Sequence, residues 1–450
     1  MNPFAPDPVV PADPYFGRGI DLIDLINRLT HLLVAGVVWS IAIVCLAALA
    51  AVAWRLSSPD TYEQHFAAPA RRMRWRLWAL FGWSRVAKAC GLSASEQVTR
   101  KTADGKTTTA TKWTHPRVLS VGTSGHCLRI TVRTRTGQTV DDLERAVPAI
   151  RDALRAHSAR ATVVSPATVR MEFVMRPHLS TAETAVPTAR IATEGVELGR
   201  RENGSPWTLR IAERQTLTVG CSGSGKGSIF WGIAGGFGPA VKAGVVRLLA
   251  IDLKYGIEVA IGSPLFTTVA TTEAAAAQLL QKLEELMDRR GNQMAGTARA
   301  HKPAADNPLL VLLIDELAGL TAYMTDANLK KQVAGSLSRI LTKGRGLGIV
   351  VVAFMQDPRK EILPMRGLFT QTIALRLRSR DEVAMVLGDG LADAAPAHRI
   401  SPNEPGTGYV IDEDGQVTKV RADFWTDDQI SSVAKKYGWT RATGKGQRHE

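Results

Sequence analysis

From His31 to Trp54 the chain reads HLLVAGVVWSIAIVCLAALAAVAW, without one Asp, Glu, Lys or Arg. No other feature limits its fold so tightly. About 24 residues rising ~1.5 Å each span a hydrocarbon core of ~30 Å with some tilt. Inside lipid, only a helix satisfies every backbone N–H and C=O within one segment. A buried helix of a water-soluble core is the alternative, but this run is apolar on all faces. A cleaved leader would open on a short basic region, whereas the preceding stretch carries Asp7, Asp13, Asp21 and Asp24. The run therefore reads as a membrane anchor. Arg55, Arg71, Arg72, Arg74 and Arg76 follow it, against only Arg18 and Arg28 before it. The positive-inside bias puts the C-terminal body in the cytoplasm, with residues 1–30 outside a single-pass anchor in the cell (inner) membrane. Trp75–Trp83 is too short to span. Its tryptophans and arginines suit a helix lying in the headgroup layer, with a second, poor span as the alternative.

At 450 residues the chain exceeds one ordinary domain, and 45% hydrophobic content excludes wholesale disorder. A net charge of +14 favours polyanionic partners, either nucleic acid or an anionic membrane face. Cys45, Cys90, Cys127 and Cys221 are scattered, with no C-x-x-C pair, which argues against a disulfide framework or a zinc site. Residues 55–112 read as a basic juxtamembrane segment that ends in an aperiodic Thr/Lys-rich linker over 95–112. Residues 113–176 read as a small α+β module. Alternation at Leu128, Ile130 and Val132 and again over Val169–Phe173 gives strands, and Val140, Leu143, Val147, Ile150 and Leu154 repeat at helical spacing. Residues 190–425 show buried strand signals at Leu217–Val219, Val245–Ile251, Leu309–Ile314, Ile349–Phe354 and Thr372–Leu377, separated by helical stretches. Such alternation predicts an α/β domain around a mostly parallel sheet. Residues 426–450 follow as a short helix, opened by a capping-box pattern at Thr426–Gln429, and a disordered tail.

Three strand ends in this domain carry chemistry. After Leu217–Val219 comes Gly220, Cys221, Ser222, Gly223, Ser224, Gly225, Lys226, Gly227 and Ser228, nearly a phosphate-binding P-loop. Such a loop offers backbone N–H groups and a helix N-terminus to a polyphosphate, with the lysine for the β/γ charges. It departs from the pattern at Gly227, where a hydroxyl should hold Mg²⁺; Ser228 comes one place late. The apolar run Leu309–Ile314 then ends in Asp315 and Glu316. In a nucleotide-hydrolysing site the first carboxylate would hold Mg²⁺ and the second would act as general base toward water. Gln356, just past another apolar strand, stands where a polar sensor could meet a γ-phosphate. Arg339, Lys343 and Arg345 leave three readings open: an arginine finger reaching a neighbouring subunit, a face gripping DNA phosphates, or a solvated surface. Arg376, Arg378 and Arg380 are ambiguous in the same way, and Asp252 and Lys254 lie near the same rim.

The segments GCSGSGKGS, LLAIDLKYGIE, VLLIDELAGL, GRGLGIVVVAFMQDP and IALRLRSRDEVAMVLG, in that order over about residues 195–412, resemble the FtsK/SpoIIIE family of DNA-pumping ATPases. They look closest to its membrane-anchored conjugative-transfer branch in actinomycete plasmids and integrative elements. The resemblance implies a RecA-like P-loop motor that uses ATP and Mg²⁺, with Lys226 on phosphate, Asp315 on the metal, Glu316 as base and Gln356 as sensor. It also implies a homo-hexameric ring around double-stranded DNA, with an arginine such as Arg345 completing a neighbour's site. Gly227 leaves Ser228, a water or Asp315 to compensate for the missing hydroxyl. After Trp425 too few residues remain for the winged-helix domain many members carry, so loading at a specific DNA sequence is either absent or the task of a separate protein. A type VII-like secretion ATPase engaging peptides, a single-stranded DNA coupling protein and a non-hydrolysing scaffold are the competing expectations.

Overall fold

The computed structural model describes residues 22–101, 107–359, 365–411 and 417–439. Residues 1–21 of the expected outer segment and the expected disordered tail lie outside the described residues. The chain divides after Gly82 into two units.

In the first unit a helix, α1 (Leu22–Ser57), contains the apolar stretch Ile26–Ser57, 32 residues of mean hydropathy 2.7, none buried. By length and composition this one helix is able to cross a membrane. It is longer at both ends than the expected 31–54, because nothing from Leu22 onward breaks a helix. At ~1.5 Å per residue its apolar stretch Ile26–Ser57 alone extends about 48 Å, so its ends outreach the hydrocarbon layer. The hydroxyls of Thr30 and Ser40 donate to carbonyls four residues back, of Ile26 and Gly36, both at 2.7 Å. That satisfies them without water. Pro59 restarts the chain in α2 (Pro59–Tyr62), a π-helical turn follows over Glu63–Ala67, and α3 (Ala68–Ala89) completes the run. Of the tryptophans on α3, Trp75 and Trp83 are buried and Trp78 is half-buried. What α3 exposes is the stripe Met73, Leu77, Leu80 and Phe81.

The second unit begins with a correction. The expected linker over 95–112 contains an antiparallel hairpin, β1 (Ala94–Lys101) against β2 (Thr107–Thr114). Threonine is β-branched and favours strands, yet it adds no apolar period, so the pattern is invisible to hydrophobicity alone. Trp83 Nε1 donates to the Pro116 carbonyl at 2.7 Å, fixing the end of α3 onto the chain that follows. Next come β3 (Arg117–Ser124), β4 (Cys127–Arg133), α4 (Val140–Leu154), β5 (Ser158–Ser165) and β6 (Thr168–Val174). The strands form an antiparallel sheet in the order β3-β4-β6-β5. Thr139 and Asp142 cap α4 reciprocally, and its Leu143, Val147 and Ile150 are buried, as are Leu128, Ile130, Met171 and Phe173 of the strands. Each such side chain contributes ~1.5–3 kcal/mol by leaving water.

The remainder is one α/β layer system. In chain order it comprises β7 (Gly195–Arg201), β8 (Pro206–Arg210), β9 (Thr216–Val219), α5 (Lys226–Gly236), α6 (Gly238–Lys242), β10 (Val246–Ile251), α7 (Ile257–Ala260), β11 (Phe266–Ala270) and α8 (Glu273–Met294). Then follow β12 (Leu309–Ile314), α9 (Leu317–Thr321), α10 (Ala327–Lys343), β13 (Ile349–Met355), β14 (Gln371–Leu375), α11 (Arg380–Leu387), β15 (Thr407–Ile411), β16 (Val417–Ala422) and α12 (Asp427–Tyr437). The ten-stranded sheet runs β11-β10-β12-β13-β9-β14-β15-β16-β7-β8. Neighbours from β11 to β14 are parallel and the rest antiparallel. The central parallel strands β9, β12 and β13 are buried on both faces. Leu217, Leu312 and Val351 share one cluster with α8, α9 and α10, while Leu313, Val352 and Phe354 share the other with α5 and α12. The capping box expected at Thr426 is formed with Gln429.

Candidate nucleotide-binding site

The chain leaves β9 and returns as β10 on the far side of β13 and β12, while β14 lies on the opposite flank of β9. Strand order thus reverses at β9, and the crevice beyond the C-terminal ends at such a point is where open α/β sheets bind ligands. The loop there is pinned by both flanking strands. Gly220 N–H donates to the Met355 carbonyl and Cys221 N–H to the Arg376 carbonyl, both at 3.0 Å. The Arg376 guanidinium adds a bond to the Ser222 carbonyl at 3.0 Å, and Gly406 N–H donates to the Ser224 carbonyl at 2.8 Å. Cys221 and Ser224 are buried while Ser222 and Gly223 form the open tip. Gly225, at φ +93°, is the N-cap of α5, a conformation that residues with a Cβ rarely adopt.

The first amides of α5 have no intrahelical acceptor and sit at the positive end of its dipole. Beside them Lys226 Nζ donates to the carbonyls of Gly220 at 2.7 Å and Cys221 at 3.2 Å, folded across the loop. Burial lowers its pKa from the ordinary lysine value, and the Glu316 carboxylate works against that shift. Asp315 and Glu316 leave the tip of β12 on the same rim. Asp315 Oδ2 accepts from Lys254 Nζ at 2.8 Å, and Lys254 Nζ lies 3.9 Å from Glu316 Oε2. Burial resists charge on Lys254, but the bond to Asp315 and the surrounding carboxylates outweigh it and raise its pKa. Glu316 Oε1 accepts the backbone N–H of Gln356 at 3.4 Å. Burial holds the Glu316 carboxyl above its ordinary range, with Lys254 opposing. Gln356 is exposed at the tip of β13. A cleft of about 910 Å³ opens there, lined by Lys254, Glu316, Gln356, Asp357 and Arg378 among others.

Of the residues singled out in the sequence, the loop, Lys226, Asp315, Glu316 and Gln356 therefore meet at one rim. Ser228 is the third residue of α5, and a hydroxyl one place late on a helix is turned by ~100° about the axis. Arg345 is elsewhere. It sits on the 3₁₀ turn Gly344–Leu347 that enters β13 at its far end, about 23 Å of strand from the rim. Arg339 is engaged with Glu284 and, at 3.3 Å, Asp288. Strand β14 stops at Leu375, short of the expected Leu377, so Arg376 turns back to brace the loop and Arg380 pairs with Asp393 at 2.9 Å.

Three contributors had no role assigned from sequence: Arg376, Lys254 and Glu258. The last two ride on a tight winding around Asp252, which is fully buried. Asp252 Oδ1 accepts Lys254 N–H at 2.9 Å, and its Oδ2 accepts Glu258 N–H at 3.0 Å. Tyr255 (φ +61°) and Gly256 (φ +72°) turn the chain between them. The only signal was the short motif following β10. Among the described residues no three His, Cys, Asp or Glu side chains form a metal cage. Mg²⁺ at a nucleotide site needs none, since phosphates and waters supply most of its oxygens. Asp315, an oxygen donor at the rim beside the loop, fits that role.

Fold and rim together define a P-loop ATPase fold. Residues 50–175 match the family described as the actinomycete conjugal transfer protein N-terminal domain. Over 232 residues, 49% of this chain and 75% of the relative, the sequence is 28% identical to a sporulation regulatory protein of Streptomyces azureus. The monomer form of the pCW3 conjugation coupling protein TcpA with ATPγS superposes with a TM-score of 0.50 at 17% identity, over 74% of this chain and 94% of that one. That likeness is one of fold. The cytoplasmic domain of the Thermomonospora curvata type VII secretion ATPase EccC gives a TM-score of 0.45 at 19% identity, over 58% and 33%. The likeness to conjugal-transfer proteins is thus one of sequence family over residues 50–175 and one of fold alone over the α/β domain.

Proposed function

We propose that this protein is a membrane-anchored, ATP-driven motor that moves double-stranded DNA in conjugative transfer. The observation that carries the reading is the meeting of Lys226, Asp315, Glu316 and Gln356 at one rim of a parallel sheet, in a chain that opens with a conjugal-transfer domain. Amides of Gly220–Ser228 and the start of α5 cradle the phosphates. Lys226 leaves the carbonyls of Gly220 and Cys221 for the β/γ oxygens. Asp315 holds Mg²⁺, which when bound neutralises charge on those oxygens. Glu316 takes a proton from the attacking water, its carboxylate oriented by the Gln356 N–H. The Gln356 side chain, at the mouth of the cleft, senses the γ-phosphate.

Arg345 belongs to this scheme only in trans. From the opposite end of the sheet it cannot serve its own loop, but in a homo-hexameric ring it would serve a neighbour's. The +14 charge suits a channel that grips duplex phosphates with little sequence preference. The helix Ile26–Ser57 anchors the ring in the cell membrane by a single pass, with the motor in the cytoplasm.

The test is steady-state ATP hydrolysis by the full chain in lipid nanodiscs. Duplex DNA is expected to stimulate turnover, and the stimulation to fade steeply between 50 and 200 mM salt, as phosphate contacts require. Stimulation by a secreted peptide and not by DNA would overturn the reading in favour of a secretion ATPase. A preference for single strands would replace the duplex.

A further inference from the structure

The flaw at Gly227 has a neighbour. A Cβ built on Gly227 would lie 3.3 Å from Glu258 Oε1 and meet no other atom within 4 Å. The carboxylate thus borders the ground onto which a side chain at 227 would project. It is also held in place. Trp231 Nε1 donates to the same Oε1 at 2.9 Å, and Trp231 lies one helical turn beyond Gly227 on α5. The backbone N–H of Glu258 is fixed by buried Asp252 at 3.0 Å. Burial first, and then the charge of Asp315, raise the Glu258 carboxyl above its ordinary range. A carboxylate fixed beside a polyphosphate cradle is a hard oxygen donor of the kind a divalent cation takes.

We propose that Glu258 stands in for the missing P-loop hydroxyl as an oxygen donor to the divalent cation that accompanies the nucleotide. It reaches across from the β10–α7 winding to the place that Gly227 leaves open, with Asp315 on the β12 side. Ser228 is turned away by the helix and is not needed. The inference rests on the nucleotide reading above and adds one ligand to it.

The experiment uses the full chain in detergent, saturated with a non-hydrolysable ATP analogue, with Mn²⁺ binding followed by electron paramagnetic resonance. Glu258→Gln keeps an acceptor for Trp231 and removes the charge. It is expected to weaken Mn²⁺ about tenfold or more while raising cation-free nucleotide affinity, because a carboxylate that repels the phosphates is gone. Gly227→Ser in the Glu258→Gln background is expected to recover most of the loss, because it restores a hydroxyl. Trp231→Phe, which removes the bond that positions the carboxylate but leaves its charge, is expected to weaken Mn²⁺ less than Glu258→Gln does. Wild-type Mn²⁺ affinity in Glu258→Gln, or no recovery in the Gly227→Ser double variant, overturns the inference and leaves the nucleotide reading intact. Failure of the parent chain to bind the analogue overturns both.

Discussion

Gly225→Ala isolates what the loop geometry is worth. Gly225 has φ +93°, and an added Cβ would sit 2.7 Å from Gly406 Cα, 3.0 Å from the Pro405 carbonyl carbon, and closer still to Gly406 N. Ordinary contact begins near 3.4 Å, so loop and neighbour must part by about 1 Å, a displacement large enough to cost ~100-fold in a positioned site. Gly406 cannot yield. Its N–H is bonded to the Ser224 carbonyl at 2.8 Å, its carbonyl accepts Ala422 N–H at 2.9 Å, and its own φ is +81°. The loop tip, with Ser222 and Gly223 exposed, is what moves. A left-handed residue with a Cβ costs ~1–2 kcal/mol and the overpacking a further ~1–3 kcal/mol. If both fall on the loop, nucleotide affinity drops by at least about 30-fold, while the thermal midpoint of the sheet shifts little. Gly223→Ala is the control. It has a similar φ of +71°, but its Cβ would meet only Arg376 Nη2 at 3.9 Å, so it bears the backbone term alone and loses about fivefold to 30-fold. Calorimetric nucleotide titration of both variants reads the difference. Equal losses in the two would refute the packing argument, and affinity within threefold of the parent in Gly225→Ala would refute the loop as the nucleotide site.

Two further outcomes follow from the same structure. Because burial raises the Glu316 carboxyl and a base acts deprotonated, turnover should fall as pH drops through a value above the ordinary glutamate ~4.3. Glu316→Gln should lower turnover by ~10²–10⁴-fold with nucleotide binding retained, and an acid limb at or below 4.3 in the parent's pH–rate profile would remove Glu316 as the base. In the N-terminal domain, Trp83→Phe leaves the Pro116 carbonyl without its indole donor. A destabilisation of ~1–3 kcal/mol in denaturant unfolding is expected, and an unchanged midpoint would show the bond to be idle.

The parts of the site that were legible in the sequence are those written contiguously. Leu309–Ile314 is apolar at every position because both its faces are covered, and the two carboxylates that end it can only face the rim. The loop after β9 is legible for the same reason. Lys254 was legible only as a residue near that rim and Glu258 not at all, because what brings them to the loop is the placing of β10 beside β12 and a winding around one buried aspartate. No periodicity encodes either. The hairpin of β1 and β2 escaped for the opposite reason: its strand preference is steric, carried by threonines, while its hydrophobic pattern is nearly blank. On α3, Trp75 and Trp83 are buried while Met73, Leu77, Leu80 and Phe81 are exposed, a partition that the mixed pattern of aromatic residues and arginines does not disclose.

Gly227 shows how far a local motif can be read locally. As a string, G-K-G-S lacks a ligand, and the nearest hydroxyl in sequence is the obvious substitute. On a helix that substitute faces ~100° away, whereas a carboxylate some thirty positions downstream already borders the open place. The two features depend on each other. A Cβ at 227 would press on Glu258 Oε1 at 3.3 Å, and withdrawing the carboxylate would strain the indole bond that positions it. Glycine at 227 is then the residue that lets Glu258 approach. A charged donor in place of a neutral hydroxyl should also tie nucleotide binding more tightly to the cation, since without one the carboxylate and the phosphates repel.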